Sequence, residues 1–399
     1  MKLLQVFNQY RFHGGEEAWV GSISKLLGVS ATVEDLTFRS DDWIGENAPK
    51  KLKQIRLIGD NPMSRAALRE HVLRFKPDAL IFHNTIPVGS FGLYDEARSL
   101  ELPVIQYTHN FRPFSPGGTL WLNDHVNDAA LRGNPWPEIY RGAWQGSRLK
   151  TAVLAYHLHQ ARAKGSFDCI DHWLAISNFM RDKFAEAGIP RKKITVLRHC
   201  WEAEPFISNI EESDHYLFLG RLVREKGPLS LLDAWKILEN KLGNRCPRLI
   251  LAGDGPLEAQ IRLRVDKMHK VECVGFVSGI KKTNLIRSCR ALMVPSIWWE
   301  PLGLTTYEAY ASARPVIAAR SGALKETVFD EITGWHHEPD DAGSIANAVT
   351  KAELTGETGR TKYGLEGRKW LIEEADPNVW KSRFISTVEK VVEAKRKRS

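Results

Sequence analysis

Short apolar runs alternate with amphipathic stretches along almost the whole chain, and they do so in two successive series. In the first, Leu3–Asn8, Ala79–His83, Val104–Thr108, Trp173–Ile176 and Ile194–Arg198 are β-branched or aromatic-rich and bounded by Pro, Gly, Asn or Ser, so they read as strands. Glu16–Leu27, Ser64–Phe75 and Asn178–Ala187 between them carry helical spacing. The second series has strands at Tyr216–Leu219, Arg248–Ala252, Glu272–Val274, Ala291–Val294 and Val316–Ala319. Its helices are Pro228–Leu238, Leu257–Lys267, Thr305–Ala313 and Ser344–Lys351. Repeated βα order implies a parallel sheet with helices on both faces. The chain is therefore expected to be α/β, with two Rossmann-like, doubly wound domains over residues 1–205 and 206–376.

The polar, acidic, Pro-containing stretch Glu202–Asp214 suits the linker between them. Pro377–Lys397 reads as one further helix, expected to pack back on the N-terminal domain. Arg112–Leu149 breaks the pattern: it has no clear period and reads as a long functional insertion.

Bulk properties narrow the function. The 399 residues suit two or three domains, and 43% hydrophobic content supplies two cores. No apolar run approaches the ~20 residues of a membrane span. The N-terminus enters a strand directly, without a signal-peptide layout, so a cytoplasmic protein is expected. The five cysteines form no Cys-x-x-Cys pair, which argues against a zinc site or disulfide framework. The net charge of +8, part of it in Lys395–Arg398, suits an anionic membrane, a phosphorylated ligand or a solvated surface. No zinc finger or RNA-recognition signature supports nucleic acid.

Open parallel sheets bind ligands beyond the carboxyl ends of their strands, and two such sheets facing each other would make one cleft. Gly14 and Gly15 follow the first strand and precede a helix, which suits either an anion or a tight turn. His109 stands at the end of Val104–Thr108. Arg221, after Gly220, and Lys226, before Gly227, are two cations five residues apart and match a diphosphate. Gly253 lies in a Gly-rich turn that permits close packing or a base against backbone. The most informative segment holds Glu300, Gly303 and Glu308 around a helix start. There the free amides of Gly303, Leu304 and Thr305 suit phosphate oxygens, and Glu308 suits a ribose diol.

Glu300 through Glu308 resembles the E-x7-E motif of the retaining GT-B glycosyltransferases of the family 4 type, in the branch that builds bacterial polysaccharides. The ordered set of Gly14-Gly15, His109, Arg221, Lys226, Gly253, Gly275, Arg314 and Gly322 extends the resemblance over most of the chain. It implies a GT-B fold, with the domains facing a central cleft. It implies a metal-independent, retaining transfer from a UDP- or GDP-sugar to a saccharide acceptor, lipid-linked and at the inner face of the membrane. No cofactor beyond the donor is implied.

In that scheme Gly15 approaches the donor phosphate, and Arg221 and Lys226 bind the diphosphate. Glu300 contacts the donor sugar, Gly303, Leu304 and Thr305 offer amides, and Glu308 holds the ribose. His109 assists the transferred group by its ring or backbone. The insertion resembles that of polysaccharide-building relatives. Its Trp121, Trp136 and Trp144 suit stacking on sugars, contact with lipid or ordinary loop packing alike. A soluble small-molecule glycosyltransferase and a non-catalytic nucleotide- or saccharide-binding protein are the alternatives.

Overall fold

The computed structural model describes residues 1–11, 15–202 and 213–398. The chain divides into two compact units: residues 1–123, 127–199 and 377–399, and residues 124–126 and 200–376.

In chain order the strands are β1 (Lys2–Gln9), β2 (Thr32–Arg39), β3 (Ala79–Phe82), β4 (Val104–Thr108), β5 (Trp121–Leu122), β6 (His125–Val126), β7 (His172–Ala175) and β8 (Ile194–Val196). There follow β9 (His215–Leu219), β10 (Arg248–Ala252), β11 (Val271–Gly275), β12 (Leu292–Val294), β13 (Val316–Ala319) and β14 (Gly334–His337). The helices are α1 (Gly15–Leu27), α2 (Lys51–Gly59), α3 (Pro62–Phe75), α4 (Gly92–Ser99), α5 (Trp136–Arg141), α6 (Arg148–Ala163) and α7 (Asn178–Glu186). The rest are α8 (Pro228–Leu242), α9 (Glu258–Val265), α10 (Gly279–Ser288), α11 (Leu304–Ala311), α12 (Leu324–Thr327), α13 (Ala342–Ala375) and α14 (Pro377–Arg396).

The first sheet runs β2-β1-β3-β4-β7-β8 and the second β11-β10-β9-β12-β13-β14. Every pairing in both is parallel. Strand order reverses between β1 and β3 in the first sheet and between β9 and β12 in the second. Ligands of doubly wound sheets collect beyond such reversals. The loops after β1 and β3, and after β9 and β12, are therefore the places to look.

Local chemistry sets the element ends. Asn61 caps α3 by accepting from the Met63 amide at 3.2 Å, Pro62 fills the first turn, and Lys76 ends the helix in the left-handed region. Ser177 caps α7 through the Met180 amide at 3.2 Å. The second core gathers Tyr216, Phe218, Trp235, Leu251, Met293 and Trp335, and the Trp235 indole donates to the Pro247 carbonyl at 2.9 Å.

Elements that differ from the sequence expectation include two strands, the insertion, one extended helix, and the helices α2, α4, α6, α10 and α12, which the pattern does not single out. β2 and β14 are edge strands that the apolar pattern does not mark: β2 has alternating exposure and carries Glu34 and Asp35, and β14 is Gly-Trp-His-His. The insertion 112–149 is structured: it contains the β5–β6 ribbon, a 3-10 turn at Ala129–Arg132, and α5. The helix expected at Ser344–Lys351 extends to Ala375, interrupted at Gly356 (φ 70°). α14 belongs to the first unit, where Trp380 stacks on Phe384 and its indole donates to the Tyr107 hydroxyl at 3.3 Å. The linker lies largely at 203–212, outside the described residues.

Candidate active site

In the second unit the segments after β9 and β12 are stitched together. The Ile297 amide donates to the Glu225 carbonyl at 2.9 Å, and Gly227 approaches Pro295 so closely that a Cβ would lie 2.0 Å from its carbonyl oxygen. This contact sets Lys226 beside Glu300. The Lys226 ammonium donates to Glu300 Oε1 and stands 4.9 Å from the centre of the Trp298 ring. Ser296 Oγ donates to the same carboxylate oxygen at 2.9 Å.

Glu300 is buried. Burial alone would raise its carboxyl pKa, but the Lys226 charge and the hydrogen bonds from Lys226 and Ser296 outweigh it and hold the carboxyl below its ordinary value. The Glu300 backbone is clamped as well: Ala323 N–H donates to its carbonyl at 2.8 Å. Gly322 (φ +57°) lies where a Cβ would come within 2.3 Å of that oxygen. Gly303, at φ +80°, turns the chain into α11 and leaves the first-turn amides of Leu304 and Thr305 without intrahelical acceptors.

Of the residues expected here, Lys226, Glu300 and the start of α11 come together. Arg221 stands two-thirds exposed, with its guanidinium 3.7 Å from Glu225, so it contributes a solvent-facing charge. Glu308 sits one turn into α11 and pairs with Lys282 of α10 at 2.7 Å, a partner the motif did not indicate. Gly253 is explained by packing: a Cβ there would meet the Gly220 carbonyl oxygen at 1.8 Å, where the loops after β9 and β10 cross.

In the first unit the corresponding region is a chain of imidazoles. His83 Nδ1 lies 3.0 Å from His109 Nε2, and His109 Nδ1 lies 3.1 Å from His199 Nε2. His83 Nε2 lies 3.0 Å from Gln5 Oε1, and Gln5 Nε2 donates to Asp35 at 2.7 Å. All three rings are buried, and burial pushes each well below the ordinary histidine range, His109 to about 3. They are therefore neutral, with one N–H each.

Polarity then follows from one end. The Asp35 carboxylate only accepts, so the Gln5 amide nitrogen faces it and the Gln5 carbonyl faces His83. His83 must donate from Nε2 and accept at Nδ1. His109 must donate from Nε2 to His83 and accept at Nδ1 from His199 Nε2–H. His199 is left with a bare Nδ1, buried and without a partner among the described residues, and its ring stacks on Trp19 with centroids 4.2 Å apart.

Both ring nitrogens of His109 are thus taken up inside the protein. Of the two modes expected for His109, ring or backbone, the ring has no nitrogen left for a ligand.

His83 and His199 were missed in the sequence although the signal used for His109 applies to them. Each follows a strand, His83 after β3 and His199 after β8.

Of the glycine pair, Gly15 opens α1, and Gly14 lies outside the described residues. The next residue, Glu16, lines a pocket with Asn84, Thr85, His109, Asn110 and Arg112. Asn110 Nδ2 donates to Glu16 at 3.0 Å. The residue as a whole is partly exposed, but its carboxyl is enclosed, and that burial, reinforced by Glu17, raises its pKa to about 8.

Two family models match: Glycosyltransferase Family 4 over residues 34–201 and Glycosyl transferases group 1 over residues 202–370. An uncharacterized glycosyltransferase of Methanocaldococcus jannaschii is 33% identical over 139 residues, 34% of this chain and 34% of that protein. The lipopolysaccharide 1,2-N-acetylglucosaminetransferase of Salmonella typhimurium is 27% identical over 228 residues, 51% of this chain and 59% of that protein. The chain thus spans between a third and three fifths of the length of these curated relatives. Among solved structures, Anabaena HepE in complex with UDP superposes with a TM-score of 0.68 at 17% identity, covering 98% of this chain and 100% of that one.

Proposed function

The chain belongs to the group 1, family 4 glycosyltransferases and has their GT-B fold, and from that premise we propose that it transfers a sugar from a UDP- or GDP-sugar to a lipid-linked saccharide in bacterial surface polysaccharide synthesis. The observation that carries the donor half is the Lys226–Glu300 pair beside the Gly303 helix start. An ammonium has three N–H donors; Glu300 takes one and leaves two for phosphate oxygens. Arg221 adds an exposed guanidinium, and Leu304 and Thr305 add amides at the positive end of α11.

Together these groups stabilise the charge that grows on a leaving nucleoside diphosphate, the work a metal would otherwise do. In the proposed mechanism configuration is retained. The acceptor approaches on the face the leaving group departs from, and the departing phosphate takes the acceptor's proton. Glu300, ionised and fixed by Lys226, Ser296 and Ala323, accepts hydrogen bonds from donor-sugar hydroxyls. Glu308 holds the ribose, and His109 contributes its backbone. The Salmonella relative's action on lipopolysaccharide and the UDP bound to HepE are in keeping with this reading.

The test is turnover of radiolabelled UDP- and GDP-sugars with a membrane extract as acceptor source. Transfer that disappears in Arg221→Ala, with unchanged melting, supports the reading. Full transfer in that variant, or no donor consumed by the native protein, refutes it. Efficient turnover on lipid-free acceptors alone replaces the lipid-linked part.

A further inference from the structure

We infer that α2, α5 and α6 form a docking face for an anionic lipid surface. α6 packs against both α2 and α5, and His157 of α6 lies 2.8 Å from the Ile55 carbonyl of α2. The buried stripe of α6 is Thr151, Leu154, Ala155, Leu158 and Ala161, so its other side faces outward.

That outer surface is unusual in two ways. Leu52, Trp136, Tyr140, Leu149 and Tyr156, from the three helices, are each between 59% and 83% exposed. Large apolar side chains this exposed, and clustered on neighbouring helices, mark an interaction surface, and aromatic rings suit a lipid–water interface. The same helices also expose Lys51, Lys53, Arg56, Arg141, Arg148 and Lys150. Their single acid, Glu138, is buried and turned inward onto Ser115 Oγ at 2.7 Å and the Gly117 amide at 2.6 Å. The face therefore presents cations and apolar groups with no exposed carboxylate on its own helices. That combination matches a bilayer bearing negative headgroups.

The basic C-terminal tail makes the contrast. Lys395 pairs with Asp171, Arg396 with Asp78 and Lys397 with Glu393, so the chain's own acids compensate its charge. No described helix is long and apolar enough to cross a membrane. The inference rests on the transferase reading only for what is reached at the membrane; binding itself is independent of it.

Co-sedimentation of the full chain with phosphatidylcholine vesicles, and with vesicles holding about a third phosphatidylglycerol, tests it. The expected result is binding to the anionic vesicles alone, weakened by salt, with a blue-shifted tryptophan emission. Lys51→Glu with Lys53→Glu, and separately Leu149→Glu with Tyr156→Glu, should each weaken binding roughly tenfold or more. Donor-sugar binding, measured in parallel by calorimetry, should be unchanged in both pairs, which also shows that they fold.

Absence of binding to anionic vesicles at 50 mM salt overturns the inference. So does binding that neither pair weakens. Binding lost only in the lysine pair and competed fully by a soluble polyanion also overturns it, in favour of a soluble anionic partner. Loss of donor binding in Arg221→Ala with vesicle binding intact bears on the catalytic reading alone.

Discussion

The two units handle buried polar groups in opposite ways at equivalent places, beyond the reversal point of a parallel sheet. The first uses neutral groups: three imidazoles, each with one N–H, all oriented by the Asp35–Gln5 end. The second uses full charges, Lys226 against Glu300. A neutral chain fixes geometry and tautomer but offers little charge. A partly exposed ion pair keeps an electrostatic field available to an anionic ligand. The proposed function draws on this difference, with positioning in the first unit and phosphate chemistry in the second.

Acid should separate the two most strongly. The three histidines have folded pKa values below their unfolded value near 6.5, so their stabilisation is complete above that pH and lost as pH falls below it. At pH 5 the loss is roughly 2 kcal/mol for His109; His83 and His199 act in the same direction, and Glu16, with its raised pKa, partly offsets them. Glu300, whose pKa is also depressed, keeps its contribution until pH drops below about 4.5. Hydrogen exchange corrected for intrinsic rates should show amides around the imidazole chain losing protection between pH 7 and 5, while amides around Lys226 and Glu300 keep theirs. Equal losses in both would erase the distinction.

Removing one partner is the next largest effect. Glu300→Ala leaves the Lys226 ammonium uncompensated and should cost up to about 3–5 kcal/mol in denaturant titration, the cost of a buried lone charge, lowered by the 23% exposure of Lys226. His83→Leu leaves the His109 Nε2–H without its acceptor and should cost about 1–3 kcal/mol. If the order reverses, the second unit's pair is not held as a charged pair.

The backbone clamp comes third. Gly322→Ala combines positive φ with a clash on Glu300 and should cost about 1–3 kcal/mol. Gly133→Ala, at φ +82° with open space around it, should cost about 1 kcal/mol or less. Equal melting of the two variants would mean that the loop after β12 yields easily. Smallest is Lys282→Ala: its partly exposed pair with Glu308 is worth about 1 kcal/mol or less. Its clearer readout is nucleotide affinity, which should change less than for Arg221→Ala.

Much of this architecture was legible in the sequence for a physical reason. Interior parallel strands are continuous apolar runs, and β1, β3, β4, β9 and β12 all stand out. Edge strands β2 and β14 do not, because Glu34 and Asp35 interrupt the apolar run of β2 and β14 is Gly-Trp-His-His, whereas the more apolar edge strands β8 and β11 do. The donor segment was legible because Glu300, Gly303 and Glu308 lie within nine residues. The histidine chain was not, since its links join residues 26, 78 and 90 positions apart. The contact between Lys226 and Glu300 was not legible for the same reason, since the two lie 74 positions apart. The insertion, read as a loop, supplies α5 of the exposed basic face.

The central claim is that the second unit's charges hold a nucleoside diphosphate, and calorimetric titration of UDP and GDP into the native chain and Arg221→Ala tests it most directly. One nucleotide should bind the native chain, and its affinity should fall roughly ten- to a hundredfold in the variant, whose melting stays unchanged because that guanidinium is exposed. Equal affinity in the two proteins, or no binding of either nucleotide to the native chain, would contradict it.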